Sequence, residues 1–243
     1  MTPLRLLQVS DCHLSRQPHA AYRGQDADLN LERLSAAVRA WRPDRVILSG
    51  DLSEDASVES YQRLAGWAGC FGCPVDWLPG NHDDRQVMDS VFGAAGFGSG
   101  PVIDAGNWQF ALLDSTWPND PAGELDAGRL QGLQSLASNR PLGIFVHHQP
   151  IPVGAAWIDK VGLRQADRLW SLLDASGTAR FVAFGHVHQR FRRKFHGVDC
   201  LACPSTAANS LAATERFTPG EETPLARWFV LGKNDFRSGY LAA

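Results

Sequence analysis

The sequence predicts an α/β protein built on two sheets, and three observations lead there. In the first half, apolar runs of strand length alternate with longer helix-like segments, the mark of βαβ units and a largely parallel sheet. The second half shifts toward strands, enough of them to form a second sheet. Polar clusters rich in Asp and His directly follow five of the strands, and in open α/β sheets the carboxyl ends of strands form the crevice where ligands bind.

The elements run in this order. Leu4–Val9 reads as a strand, Leu29–Trp41 as a helix, Arg45–Leu48 as a strand, Val58–Cys70 as a helix and Val75–Leu78 as a strand. Further on, Trp108–Leu113, Leu142–Val146, Arg180–Phe184, Phe191–Phe195, Val198–Ala202 and Arg227–Leu231 read as strands, with helices over Leu125–Ala137 and Gln165–Ala175. His196-Gly197 separates two of these strands and predicts a tight hairpin, with Gly supplying a positive φ. The Gly/Pro/Thr-rich stretch Thr214–Pro224 reads as a surface loop. With no internal repeat, low-complexity tract or linker, residues 1–243 are expected to form a single domain.

Composition excludes some partners. Against 26 Asp+Glu stand 23 Lys+Arg, a formal charge of −3, so no global field draws the chain to nucleic acid or to an anionic membrane. The opening stretch "MTPLRLLQVSDCHLS" has too short an apolar core, interrupted by Arg5, for a secretory signal or a membrane span. Together with five cysteines, an odd number, this suggests reduced thiols and a cytoplasmic location. Cys70-Phe-Gly-Cys73 and Cys200-Leu-Ala-Cys203 have the C-x2-C form of zinc sites. The pairs stand far apart in the chain and within apolar surroundings, so small buried hydrophobes are the expected role. The basic run Arg190–Phe195 is expected as a strand, with Arg190, Arg192 and Lys194 outward and Phe191 and Phe195 inward, rather than as a nucleic-acid site.

The polar clusters carry the chemistry. Ser10-Asp11-Cys12-His13, Ser49-Gly50-Asp51, Gly80-Asn81-His82-Asp83, His147-His148 and Gly185-His186-Val187-His188 each sit just past an apolar run, and they hold six of the eight histidines. Strand alternation predicts that the outer residues of Asp11-Cys12-His13 and His186-Val187-His188 face one side, with Cys12 turned away. Asp11, His13, Asp51, Asn81, His147, His186 and His188 supply two carboxylates, one amide oxygen and four imidazoles. Seven donors exceed one tetrahedral site and suit two adjacent metals bridged by a carboxylate. Nitrogen and oxygen donors without thiolate favour Fe, Mn or Zn.

In this order, the motifs D-x-H, G-D, G-N-H-D, H-H and G-H-x-H resemble those of the calcineurin-like metallophosphoesterases, spanning Asp11 to His188. Within that superfamily, "LLQVSDCHL", "SGDLSEDASVESYQRL", "WLPGNHDD", "FVHHQPIPVGAAWIDKVGLRQAD" and "FGHVHQ" look like the bacterial class III cyclic nucleotide phosphodiesterases. The resemblance implies a four-layer α/β/β/α sandwich of two mixed sheets flanked by helices. It also implies a dinuclear centre of iron or manganese that hydrolyses 3′,5′-cyclic AMP to 5′-AMP by in-line attack of hydroxide. Carried over, one metal is held by Asp11, His13, Asp51 and His188, and the other by Asp51, Asn81, His147 and His186, with Asp51 bridging. His13, Asp51, Asn81, His82 and His188 would contact the substrate. His82 would act as the proton donor, with Asp83 orienting it. His148 is expected in a supporting role. The loop carrying Trp157, Asp159 and Arg164 is expected either to cover the crevice and shape a base pocket or to pack on the sandwich. Other metallophosphoesterase specificities, toward other cyclic nucleotides, glycerophosphodiesters or phosphomonoesters, share the same ligands. The oligomeric state is not legible in the sequence.

Overall fold

The computed structural model describes residues 2–243 except 135, 137, 138 and 221–223. The chain runs β1 (Leu4–Val9), β2 (Ala21–Tyr22), β3 (Gln25–Asp26), α1 (Ala27–Trp41), β4 (Arg45–Ser49), α2 (Val58–Gly69), β5 (Val75–Leu78) and α3 (Arg85–Ala94). It continues through β6 (Val102–Ala105), β7 (Trp108–Leu113), β8 (Gly123–Glu124), α4 (Ala127–Gln134), β9 (Leu142–Val146), α5 (Ala156–Asp159), β10 (Leu163–Arg164) and α6 (Ala166–Ser176). The last strands are β11 (Ala179–Phe184), β12 (Phe191–Phe195), β13 (Val198–Ala202), β14 (Leu225–Leu231) and β15 (Phe236–Ala242).

Two mixed sheets carry the fold. The first has the order β15-β14-β1-β4-β5 and the second β12-β13-β11-β9-β7-β6. β1, β4 and β5 are parallel, as are β7, β9, β11 and β13, while β14 and β15 at one side of the first sheet and β6 and β12 at the two edges of the second run antiparallel to their neighbours. The central strands are buried on both faces, which is why they read as nearly unbroken apolar runs. Alternation divides their side chains between layers. Leu6, Ile47, Leu78 and Phe229 meet Phe110, Phe145, Phe181 and Leu201 between the sheets. Leu7, Val46, Leu48 and Trp77 instead face α1, α2 and α3 through Leu34, Tyr61, Leu64 and Phe92. Ile144, Val146, Val182 and Phe184 face α4 and α6 through Leu130, Leu169, Trp170 and Leu173. The result is the expected four-layer sandwich.

His196 and Gly197 turn the β12–β13 hairpin with φ of 48° and 77°, the paired positive values of a type I′ turn. In β12, Phe191 and Phe195 pack inward as expected, while Arg192, Arg193 and Lys194 are all exposed because the strand lies at the sheet edge. Among the described residues, eight elements escaped the sequence reading: the two-residue strands β2, β3, β8 and β10, the single-turn α5, and the longer α3, β6 and β15. α3 fully buries Met88 and Phe92 and packs Val87 and Val91 beside them, a helical repeat interrupted by Asp89 and Ser90 that went unread in so short a segment. β6 and β15 are edge strands, half exposed and without alternation. The expected helix end at Ala137 and the 221–223 part of the expected loop lie outside the described residues.

Candidate metal centre

All five polar clusters lie at strand ends. Asp11 and His13 follow β1, Asp51 follows β4, and Asn81 follows β5, all from the first sheet; His147 follows β9 and His186 and His188 follow β11, from the second. The backbone there is not extended, which corrects the alternation argument. Asp11, His13, Asp51, His186 and His188 have φ of 54°, 43°, 50°, 67° and 49°. These left-handed residues reach one site because the chain coils back on itself after each strand, and Asp and His tolerate that conformation better than most side chains. Glycines open the space between the loops. A Cβ at Gly80 would strike the Asp51 carboxylate, and one at Gly185 would strike Asp11 and Ser10. At Gly50, where φ is +91°, a Cβ would strike the His147 ring.

The ring orientations follow from hydrogen bonds made on the far side of each imidazole. Nδ1 of His147 faces the Ser49 carbonyl at 3.0 Å and Nδ1 of His188 faces the Ala208 carbonyl at 2.7 Å. A carbonyl only accepts, so these nitrogens carry the protons and each Nε2 presents a lone pair to the centre. Nδ1 of His13 pairs with Glu54 at 2.8 Å in the same way. In His186 the roles invert: Nε2 faces the Val161 carbonyl at 3.2 Å and Nδ1 is left free.

What remains is a set of acceptors without donors. Nε2 of His13 and His188 lie 3.2 Å apart, and His188 Nε2 is 3.2 Å from Asp11 Oδ1. Nε2 of His147 lies 3.3 Å from Asp51 Oδ2, which is also 3.8 Å from His13 Nε2. Two buried atoms, His147 Nε2 and Asn81 Oδ1, have no hydrogen-bond partner. Lone pairs and carboxylates crowded in a dry site repel unless cations lie among them. The donor atoms of Asp11, His13 and His188 lie within 4.8 Å of one another, and so do those of Asp11, Asp51 and His147. Two further groups join His147, His148 and His186, and His13, Asp51 and the exposed His82. The residues therefore fit two metal ions, with Asp51 placed between the groups.

Ionisation agrees. Burial works to raise the Asp51 carboxyl, but His147, His13 and His82 outweigh it and hold it well below the usual range. Asp11 is held down likewise, against its burial, chiefly by His188. Burial lowers the basicity of His147, yet the two carboxylates lift it to about 9, so without a metal this position attracts a proton. Burial pushes His186 well down, helped by His148 and His147.

His82 stands apart from this buried set: its side chain is 38% exposed, and it packs edge-on to His13 with ring centroids 5.0 Å apart. Its backbone N–H donates to Asp51 Oδ1 at 3.0 Å. Asp83 does not orient it, contrary to expectation. The Asp83 carboxylate instead accepts from the backbone N–H groups of Leu52, Ser53 and Gly80 and from the Tyr61 hydroxyl. It ties two loops together. The side chain facing His82 is Glu54, whose Oε2 lies 3.2 Å from His82 Nδ1 while also holding His13. Sequence reasoning missed Glu54; its one signal was a position three residues after Asp51 within "SGDLSE".

The neighbouring residues resolve too. Nδ1 of His148 meets the Ser115 hydroxyl at 2.7 Å and its Nε2 meets the Pro121 carbonyl at 3.2 Å, so both ring nitrogens are engaged. Asp159 accepts from the N–H groups of Val153 and Gly154, closing its own loop. Arg164 pairs with Asp120 at 2.6 Å. Trp157 packs on Phe217. Cys12 is buried in the outer core, Cys200 and Cys203 are buried, and Cys70 closes α2.

The calcineurin-like phosphoesterase family model matches residues 4–190. The chain belongs to that family. It is 33% identical over 231 residues to the 3′,5′-cyclic adenosine monophosphate phosphodiesterase CpdA of Pseudomonas aeruginosa, covering 93% of this chain and 85% of the relative. The CpdA of Escherichia coli K12 is 34% identical over 224 residues, 88% of this chain and 80% of its own. A dimetal phosphatase from Danio rerio has the same fold, with a TM-score of 0.71 over 97% of this chain and 98% of that one, at 14% identity. This phosphoesterase thus combines its family's fold with His/Asp clusters able to hold two metal ions.

Proposed function

We propose that this phosphoesterase hydrolyses 3′,5′-cyclic AMP to 5′-AMP in the cytoplasm, on a pair of iron or manganese ions. The observation that carries the reading is the one-third identity, over nearly the whole chain, to phosphodiesterases named for this substrate. No helix among the described residues is long and apolar enough to cross a membrane.

Asp11, His13, Asp51 and His188 would hold one ion, and Asp51, Asn81, His147 and His186 the other. Two such cations activate water and neutralise phosphoryl oxygens, and against two carboxylates they leave a surplus of about two positive charges for an anionic diester. The chain supplies the rest. His82, open to solvent beside His13, is placed to give a proton to the departing 3′ oxygen. Glu54 fixes the His82 ring through Nδ1, so the proton to be transferred sits on Nε2. The Asp51 carboxylate, accepting from the His82 N–H, ties that loop to the metal ligands. Burial of the remaining donors keeps bulk water from competing with the phosphoryl group.

A substrate panel tests this. cAMP, cGMP, a 2′,3′-cyclic nucleotide, a glycerophosphodiester and a phosphomonoester are assayed with added Mn(II) or Fe(II). The 3′,5′-cyclic compounds should show the highest kcat/KM, and cAMP the highest of these. Preference for any other class overturns the proposal.

A further inference from the structure

A second group of side chains abuts the His13–His188 edge of the centre and takes no part in the steps above. Tyr22 stacks on His13 with ring centroids 3.9 Å apart and planes 6° apart. Arg23 follows at the tip of the β2–β3 hairpin, with φ of 48° and Gly24 at 82° behind it. Its guanidinium carbon lies 4.0 Å from the ring centroid of Phe217, 5.4 Å from Tyr22 and 5.9 Å from Trp157. Trp157 meets Phe217 edge-on at 5.5 Å, and Phe217 meets His188 at 6.1 Å. Three segments far apart in the chain thus build one aromatic wall against two of the donor histidines.

Two features of this wall are unfilled. Arg23 has no carboxylate partner among the described residues; its one hydrogen bond is from Nε to the Tyr22 hydroxyl at 3.0 Å. The indole N–H of Trp157 is buried without an acceptor. Packing alone accounts for a guanidinium on an aromatic face, but it does not account for a buried donor left unpaired. What completes both is a flat π-system that carries acceptor atoms and is joined to an anion. A nucleobase linked to a phosphate has that chemistry.

We propose that the base of the cyclic nucleotide stacks in this cluster of Arg23, Phe217 and Trp157 while its phosphate lies on the metal centre. The proposal rests on the cyclic-nucleotide reading above. Arg23 and Trp157 offer only donors and stacking faces, so they take ring nitrogens that accept, and a purine gives them the larger face.

The test compares cAMP with the same 3′,5′-cyclic phosphate on a ribose that carries no base. For the wild-type enzyme, kcat/KM should be higher with the base. Arg23→Ala and Trp157→Ala should each lower the ratio of the two kcat/KM values about tenfold, mainly through KM for cAMP. Arg23→Lys should fail to restore it, because an ammonium has no planar face. Both rates come from one sample, so a loss of folded protein cancels from the ratio. Equal losses on both compounds, or a wild-type ratio in Arg23→Lys, would overturn the subsite. A wild-type enzyme that hydrolyses both cyclic phosphates equally overturns the subsite and leaves the phosphodiesterase reading standing. One that hydrolyses neither, but cleaves another ester, removes both.

Discussion

Asp83→Asn separates a scaffold from a catalytic dyad. The Asp83 carboxylate accepts through Oδ1 from Leu52 N at 3.1 Å, Ser53 N at 3.1 Å and Tyr61 Oη at 3.0 Å. Through Oδ2 it accepts from Gly80 N at 2.9 Å and Leu52 N at 3.2 Å. An amide of the same shape keeps one oxygen. In either orientation its nitrogen faces a backbone N–H, donor against donor. Leaving one such buried donor unpaired costs about 1–3 kcal/mol. A partial offset comes from the charge removed, since burial and the nearby Asp51 already raise the Asp83 carboxyl to about 6.

The net loss should therefore be roughly 1–2 kcal/mol, or a fall in Tm of about 2–8 °C for a chain of this size. Thermal unfolding with metal present measures it. The His82 ring keeps its Glu54 partner in this variant, so kcat should fall less than about tenfold, well short of the loss of a proton donor. A variant with wild-type Tm and a kcat lowered about 10²-fold or more would refute the reasoning and return Asp83 to the side of His82.

The remaining predictions divide the site. His82→Ala should lower kcat by about 10²- to 10⁴-fold while metal content, measured by plasma mass spectrometry, stays at the wild-type value. Glu54→Gln should lower kcat about tenfold and also weaken metal binding about tenfold, because Glu54 holds His13 as well as His82; metal titration read beside the rate distinguishes it from His82→Ala. Asp51→Asn should lose at least one equivalent of metal, and two retained equivalents would contradict its place between the two groups. For the thiols, exposed Cys70 should label first with an alkylating reagent at neutral pH. Burial pushes Cys12 and Cys200 up to about 12 and raises Cys203 further, so these three should react only after unfolding, as mass spectrometry of the labelled peptides would show.

The sandwich was legible because its inner strands are buried on both faces. Leu4–Val9, Val75–Leu78, Trp108–Leu113 and Leu142–Val146 have the same bounds in sequence and structure, and each is an apolar run that ends where polar residues begin. The Asp and His clusters that the structure brings together were legible for the same reason, since a carboxylate or imidazole straight after such a run has few other uses. Partnerships made by loops were not. Glu54 faces His82 only because the chain reverses at Asp51. Asp83 binds backbone amides, which no residue type announces. β15 offers too little buried apolar surface for a period to show, whereas α3 carries one, at Val87, Met88, Val91 and Phe92, in a segment too short to stand out.

The left-handed residues explain why motif spacing succeeded where strand geometry failed. Each such conformation costs on the order of 1–3 kcal/mol and persists only where the surroundings over-determine it. Here the surroundings are the other loops. Asp11 N donates to the Gly50 carbonyl and His13 N to the Asp51 carbonyl, both at 3.0 Å, so the first two clusters hold each other. His186 N donates to the Asp11 carboxylate, locking the second sheet's loop onto the first, and Ser210 N, in the connection after β13, donates to the His188 carbonyl at 2.7 Å. The strain at Asp11, His13, Asp51 and His186 is thus offset by hydrogen bonds to a different cluster, and that at His188 by one from the segment after β13. Distortion of one loop must displace donors on both sheets, so the five motifs work as one unit and a single one has no meaning alone.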